Sequence, residues 1–422
     1  MCETAETNAH TRTLVPSRMS SALAPLPPRA ALAIFEYLSP SESRSLALSC
    51  RSFAAASRAR PRSTIPSAAV LSMAMKGLPM LCDLCVGSPA GSSLSSILLA
   101  VFAHCTAIRS LDVSMSGSAA SASQLPARDG DPLCAAFASC AHLRVLRVRF
   151  ARFAVAGCIL RHCPPSLEEF SLLACSRSAQ IGDGEGCGRL KTIQMSACGG
   201  IDSLPNLLRA ATSLTKLNIS STIAGNREAA IIASACGPRL RTLAAVNTFI
   251  TAEGFVDIAS RCPLVALECG ARPRPLRLLL SSPLHMLSLR GSLRALSLAA
   301  TSLSMDSLRI IACLLPRLVY LDISFNAFTL AADAARDAGV RDDASRPALR
   351  DLTRLRCICI IGMSSPSASF LASHAARSCG PSLRLVVCDE QATRGWATVA
   401  PSYPRCALRI DHVPRMDALF AE

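Results

Sequence analysis

One spacing, apolar-x-x-apolar-x-apolar, returns twelve times along this chain at intervals of mostly 23 to 29 residues. The starts are Leu81, Ile108, Leu143, Leu167, Leu190, Leu214, Leu240, Leu264, Leu293, Leu318, Leu355 and Leu383. Leu318-Val-Tyr-Leu321-Asp-Ile323-Ser-Phe-Asn326 shows it in full. A period of this length predicts stacked strand-plus-helix units, each too small to bury its apolar face alone. The expected fold is therefore an α/β solenoid of about twelve repeats, an arc with a parallel sheet inside and helices outside.

Within a unit the reading is local. Leu167, Phe170 and Leu172 alternate inward from a short strand, because strand side chains change face at every residue. Three positions later a small polar or thiol residue is placed to satisfy backbone groups of the turn: Cys198, Thr222, Thr248, Thr301 and Asn326 share that slot. Helical spacing follows in four units: Leu204, Leu207, Leu208, Ala211; Ala230, Ile231, Ile232, Ala235; Phe255, Val256, Ile258, Ala259; and Leu308, Ile311, Ala312, Leu315. Cys236-Gly-Pro238, Cys262-Pro263 and Cys379-Gly-Pro381 end helices, since Gly relaxes the cap and Pro cannot continue. Leu284-x-x-Leu287-x-Leu289 competes with Leu293 for one strand; Leu293 is preferred because a helix-like segment follows it.

Composition narrows the function. Hydrophobic residues make up 50% of 422, aromatic residues 4% and charged residues 17%. The formal net charge is +15, almost all of it arginine: the lysines are Lys76, Lys191 and Lys216. That charge favours acidic partners, but scattered arginines without aromatic platforms do not make a nucleic-acid groove, so RNA contact ranks behind protein contact. The 21 cysteines recur just before repeat starts (Cys140, Cys187, Cys236, Cys262), a packing slot suited to a buried, reduced thiol. The sequence carries neither a secretory signal nor a run of 18 apolar residues, so an intracellular protein, cytoplasmic or nuclear, without membrane association is expected.

Catalytic patterns are missing. There is no phosphate-cradling Gly-x-x-x-x-Gly-Lys run and no His-Glu-x-x-His. Gly182-Asp-Gly184-Glu-Gly186 is acidic and lacks the lysine; Cys82-x-x-Cys85 has no second pair at zinc-finger distance, and Cys357-x-Cys359 shares one strand face. No enzyme, cofactor or metal site is expected. The inner face should instead bind protein, with Arg147, Arg149, Tyr320 and Asp322 as its candidate contacts, since Tyr and Arg dominate binding hot spots.

Before the repeats, residues 26 to 53 read as three short helices. Leu26-Pro27, Ile34-Phe35, Leu38, Ser39-Pro40, Leu46, Cys50-Arg51 and Phe53 resemble an F-box, with Ser43 where leucine is common and Phe53 in place of tryptophan. F-box then repeats is the order of the F-box/leucine-rich-repeat family, whose repeats are of the cysteine-containing type. The resemblance implies a substrate-recognition adaptor of a cullin-RING ubiquitin ligase. In it Leu26, Pro27, Ile34, Phe35 and Leu38, supported by Leu46 and Leu48, would contact a Skp1-like adaptor, and the arc would hold a protein substrate. The alternative is a non-catalytic scaffold subunit of a large ribonucleoprotein or cytoskeletal assembly, with 26–53 serving only as a cap. The expected organisation is a disordered tail at 1–22, an F-box-like segment at 23–62, and a linker at 63–80. Repeats follow at 81–400, with insertions at 117–132 and 331–350, and a C-terminal cap at 401–422.

Overall fold

A computed structural model describes residues 83–88, 107–115, 132–149, 164–174, 187–198, 204–270, 289–326, 349–363, 382–388 and 407–410. Shorter pieces lie between 98 and 103, at 201, and between 368 and 379. The F-box-like segment, the tail and the linker lie outside the described residues.

Among the described residues, thirteen strands form one sheet in strictly sequential order, each parallel to the next. They are β1 (Asp83–Ser88), β2 (Ser110–Met115), β3 (Val145–Arg149), β4 (Glu169–Leu173), β5 (Thr192–Ser196), β6 (Lys216–Asn218) and β7 (Thr242–Ala244). Then come β8 (Ala266–Glu268), β9 (Ala295–Ser297), β10 (Tyr320–Asp322), β11 (Cys357–Cys359), β12 (Leu385–Cys388) and β13 (Ala407–Ile410). Parallel neighbours need a crossover between every pair, and sequential order means that each unit touches only the units beside it. This is an α/β parallel-strand repeat architecture consistent with a leucine-rich-repeat-like solenoid.

Strands β1 to β12 each begin two residues after the first residue of one of the spaced motifs, and β9 follows Leu293. Strand β13 falls in the segment expected to be a cap and pairs with β12, Val386 opposite Leu408. The motif leucines and the inward strand residues build one continuous core. Leu146, Leu172, Ile193, Leu217, Leu243, Leu296, Leu321 and Ile358 are each at most 1% exposed. Burying one such side chain stabilises by about 1.5–3 kcal/mol, so the stack is held by many similar contributions.

The polar slot after each strand does what its chemistry allows. Thr222 Oγ1 donates to the Ile219 carbonyl (2.7 Å), Thr248 Oγ1 to Ala245 (2.9 Å), and Thr301 Oγ1 to Leu298 (2.7 Å). Cys198 Sγ makes longer contacts to the Leu172 and Ser196 carbonyls. Immediately before this slot the chain passes through a left-handed residue in unit after unit. Ala174, Ala197, Ser221, Asn247, Ala300 and Phe325 have φ between 52° and 58°, and Gly362 has φ 66°. Each of the six non-glycine residues donates its N–H to the next unit, as Ala197 does to the Ser220 carbonyl and Phe325 to Ile361. The ladder thus continues past the strand through a conformation that non-glycine residues seldom adopt.

Helices α1 (Pro132–Ala138), α2 (Leu204–Ala210), α3 (Asn226–Cys236), α4 (Ala252–Arg261) and α5 (Met305–Leu314) pack on the outer side. Pro132, assigned to an insertion by sequence, is instead the first helical residue, where its missing N–H costs nothing. The α3 face also needs correcting. It buries Ala229, Ile232, Ala233 and Cys236, the i, i+3, i+4, i+7 set, while Ala230 is exposed. Glu228 Oε2 accepts from Gly225 N at the start of α3 (2.8 Å), and Gly237, at φ 40°, turns the chain out of its end. Gly254 on α4 permits close approach to α3: a Cβ there would lie 2.6 Å from Asn226 Oδ1 and 2.9 Å from Ala229 Cβ.

Candidate protein-binding face

The inner side of the sheet presents the strand residues that alternate with the core positions, and its two halves differ. From β3 to β6 these residues are largely half-buried or exposed: Val145, Arg147, Arg149, Glu169, Thr192, Gln194, Ser196, Lys216 and Asn218. In β9, β10 and β11 every strand residue is buried, so both faces of those strands are covered within the chain.

Two candidate contacts therefore belong to an interior. Tyr320 is 1% exposed and packs with Ala266, Ala295, Cys357, Cys359 and Val387 in a second apolar cluster. Its hydroxyl accepts from Cys359 Sγ at 3.4 Å, and burial, followed by the neighbouring Cys359 and Asp322 groups, pushes its ionisation upward. A hydrogen bond with Cys357, then burial, raises the Cys359 thiol as well. Asp322 is 6% exposed; its Oδ2 accepts from Ser297 Oγ (2.8 Å) and its Oδ1 from Ser324 N (3.0 Å). Strand alternation correctly gives the side on which these residues stand. It carries no information about whether that side is covered, and here the expectation of an open Tyr320–Asp322 contact fails.

Arg147 and Arg149 are accessible, at 41% and 45% of their side-chain surface, and stand over a groove of about 370 Å³. Each is held diagonally by a carboxylate on a different neighbour. Arg147 Nε donates to Glu169 Oε1 on β4 at 2.8 Å, and Arg149 Nη2 to Asp112 Oδ2 on β2 at 2.8 Å. Ser171 Oγ donates to Gln194 Oε1 (3.2 Å) across the floor, and Lys216 closes the β6 side. The result is a polar, mixed-charge groove whose donors and acceptors are fixed by strand register. Glu169, Gln194 and Lys216 belong to the same alternating set as the two arginines. Of these, Glu169 is tied to Arg147 by the diagonal pairing, which depends on register.

Among the described residues no group of three His, Cys, Asp or Glu side chains is placed to hold a metal ion, and no helix is long and apolar enough to cross a membrane. The thiols read as packing slots are buried: Cys140, Cys187, Cys236, Cys262 and Cys379. Burial pushes Cys236 and Cys379 up to about 12 and Cys262 to about 11, so these thiols are protonated.

No protein-family model matches the chain, and no curated protein sequence does. Solved structures share its general course. TLR13 from a TLR13–ssRNA13 complex aligns at 15% identity and a TM-score of 0.42, over 76% of this chain and 50% of its own. The chain therefore spans about half the length of that protein. An internalin (inlF) of Listeria monocytogenes aligns at 10% identity and 0.37, over 95% of this chain and 100% of its own. The leucine-rich repeat-containing protein LegL7 of Legionella pneumophila aligns at 14% and 0.38, over 62% and 89%. At these scores the likenesses carry no argument about function, and the repeat architecture rests on this chain's own strand order and turn ladder.

Proposed function

We propose that this chain is a non-catalytic scaffold that binds a protein partner through the inner face of β2 to β6. The observation that carries the reading is the Arg147–Arg149 groove. Two arginines project over a half-open, mixed-charge floor, pre-positioned by carboxylates that leave part of each guanidinium accessible. Arginine anchors with satisfiable polar surroundings suit protein recognition. An extended nucleic-acid track would want continuous positive charge and stacking rings, whereas Glu169 and Asp112 offset both arginines here. The test is charge reversal. Proteins bound by the native chain are compared with those bound by Arg147→Glu/Arg149→Glu, with folding checked by circular dichroism. Loss of specific partners supports the assignment; an unchanged set of partners rejects it.

A second reading makes the scaffold an adaptor for a ubiquitin ligase. It is favoured by the match of Leu26-Pro27, Ile34-Phe35, Leu38, Leu46 and Cys50-Arg51 to an F-box, followed directly by the repeats. In that reading Phe35 inserts into a Skp1-like adaptor, and its loss costs about 2 kcal/mol or more in binding. Co-purification of such an adaptor with the native chain but not with Phe35→Ala is the expected result; no association with either chain ends this reading.

A further inference from the structure

Five arginines gather on the rim where the chain enters β9 to β12. Residues just before these strands form one hydrogen-bonded row. Val319 N donates to the Arg294 carbonyl (2.7 Å), Arg356 N to Val319 (2.8 Å), and Arg384 N to Arg356 (2.8 Å). Arg294, Arg356 and Arg384 therefore share a row three strand spacings wide, about 14 Å. Arg317 and Arg354 stand two residues earlier in their own units.

Inside this rim two guanidiniums converge on one oxygen. Arg294 Nη2 and Arg317 Nη1 both donate to the Gly291 carbonyl, at 3.2 Å and 3.0 Å, and Arg294 Nη1 also donates to Leu293 O at 3.0 Å. Like charges are thus held close together, and Arg354 is near enough to act on Arg294. Burial, then the charges of Arg317 and Arg354, pull the Arg294 guanidinium below the usual arginine range. The ion pairs among the described residues lie elsewhere: Arg147–Glu169, Arg149–Asp112, Lys191–Glu168 and Arg309–Asp306. Asp351 is the one acidic residue in the stretch 349–363, and it forms no ion pair among the described residues. Guanidiniums gathered without carboxylates repel one another, a cost that a multiply charged anion on the rim would remove.

We propose that the rim of Arg294, Arg317, Arg354, Arg356 and Arg384 docks an acidic segment of a partner protein. Charge complementarity selects the sign. Length selects the class: 14 Å matches four or five residues of extended peptide at about 3.3 Å each. Forked guanidiniums accept carboxylates in pairs. A nucleic-acid strand would need a longer track and stacking rings, and the described rim residues include neither Phe nor Trp, while Tyr320 is buried.

The test uses the full chain and fluorescence anisotropy with a short labelled polyglutamate peptide, set against an oligouridylate of equal charge. Arg317→Glu/Arg354→Glu should weaken peptide binding about tenfold. Arg209→Glu/Arg227→Glu, an equal change of net charge on the helical side, should leave it nearly unchanged. Arg147→Glu/Arg149→Glu should also leave it unchanged, which separates this rim from the inner groove. Arg317→Gln/Arg354→Gln repeats the loss in smaller measure if the reversed pair fails to fold. Equal weakening by the rim and helical pairs, tighter binding of the oligouridylate than of the peptide, or no binding by the native chain overturns the proposal.

Discussion

The carboxamide of Asn326 reaches across one whole unit to Thr301. Its Oδ1 accepts from the backbone N–H of Thr301 and of Leu303, each at 3.0 Å, while Nδ2 donates to the carbonyls of Leu298 (2.8 Å) and Ile323 (2.9 Å). One side chain 1% exposed thus satisfies backbone groups of two successive turns. Burying those groups without partners would cost about 1–3 kcal/mol each. Asn326→Ala should therefore lower unfolding free energy by about 3 kcal/mol or more. Thr222→Val, which removes a hydroxyl serving mainly its own turn, should cost about 1 kcal/mol. Urea denaturation of both variants checks the order.

Glycine is required at Gly362 and Gly270 for different reasons. A Cβ at Gly362, which already has φ 66°, would meet the Phe325 ring at 2.2 Å; at Gly270 it would meet the Ala299 carbonyl oxygen at 2.3 Å. Phe325 is 59% exposed and can move aside. Gly362→Ala should destabilise by about 1–3 kcal/mol, with part recovered in Gly362→Ala/Phe325→Ala. Gly270→Ala should destabilise more and find no side-chain rescue, because backbone is the obstacle. Thermal melts of the three variants measure this.

The buried thiols give the fold a pH limit. Their folded values are raised above the unfolded one, Cys236, Cys269 and Cys379 to about 12 and Cys262 to about 11, so the protonated thiol is the form the fold holds. Their contribution is complete below about pH 8.5 and declines as pH rises through the folded values. Native chain treated with iodoacetamide at pH 8 should be modified at exposed Cys313, with these four protected until denaturant is added. Peptide mass mapping distinguishes the sites.

The groove ion pairs should matter little for stability. Arg147 and Glu169 are 41% and 23% exposed, and solvent-screened pairs contribute about 0–1 kcal/mol. Arg147→Ala and Glu169→Gln should each shift unfolding free energy by less than about 1 kcal/mol while weakening partner binding. A large loss of stability would mean that the pair is structural.

The strands were legible because period-two burial leaves its mark directly in Leu, Ile and Val. Strand β13 was not, since two residues before Ala407 the sequence carries Arg405 and the leading apolar place is empty. The phase of α3 slipped because Ala229 to Ile232 is continuously apolar and offers no polar residue to mark its outer face. The left-handed turns were invisible in Ala174, Ala197 and Phe325, where no glycine announces them. Of the inner-face contacts, Arg147 and Arg149 are on accessible surface and Tyr320 and Asp322 are not. Tyr320 is flanked in register by Ala295 and Cys357 on the adjacent strands, and alternation within one strand is blind to such neighbours.

The proposed function requires partners to bind at the inner face. A photo-crosslinking residue placed at Gln194, in the groove, is compared with one at Arg227, on the exposed side of α3. Discrete protein adducts are expected from position 194, abolished by Arg147→Glu/Arg149→Glu, and none of these from position 227. Adducts confined to position 227, or nucleic acid as the species captured at 194, would contradict it.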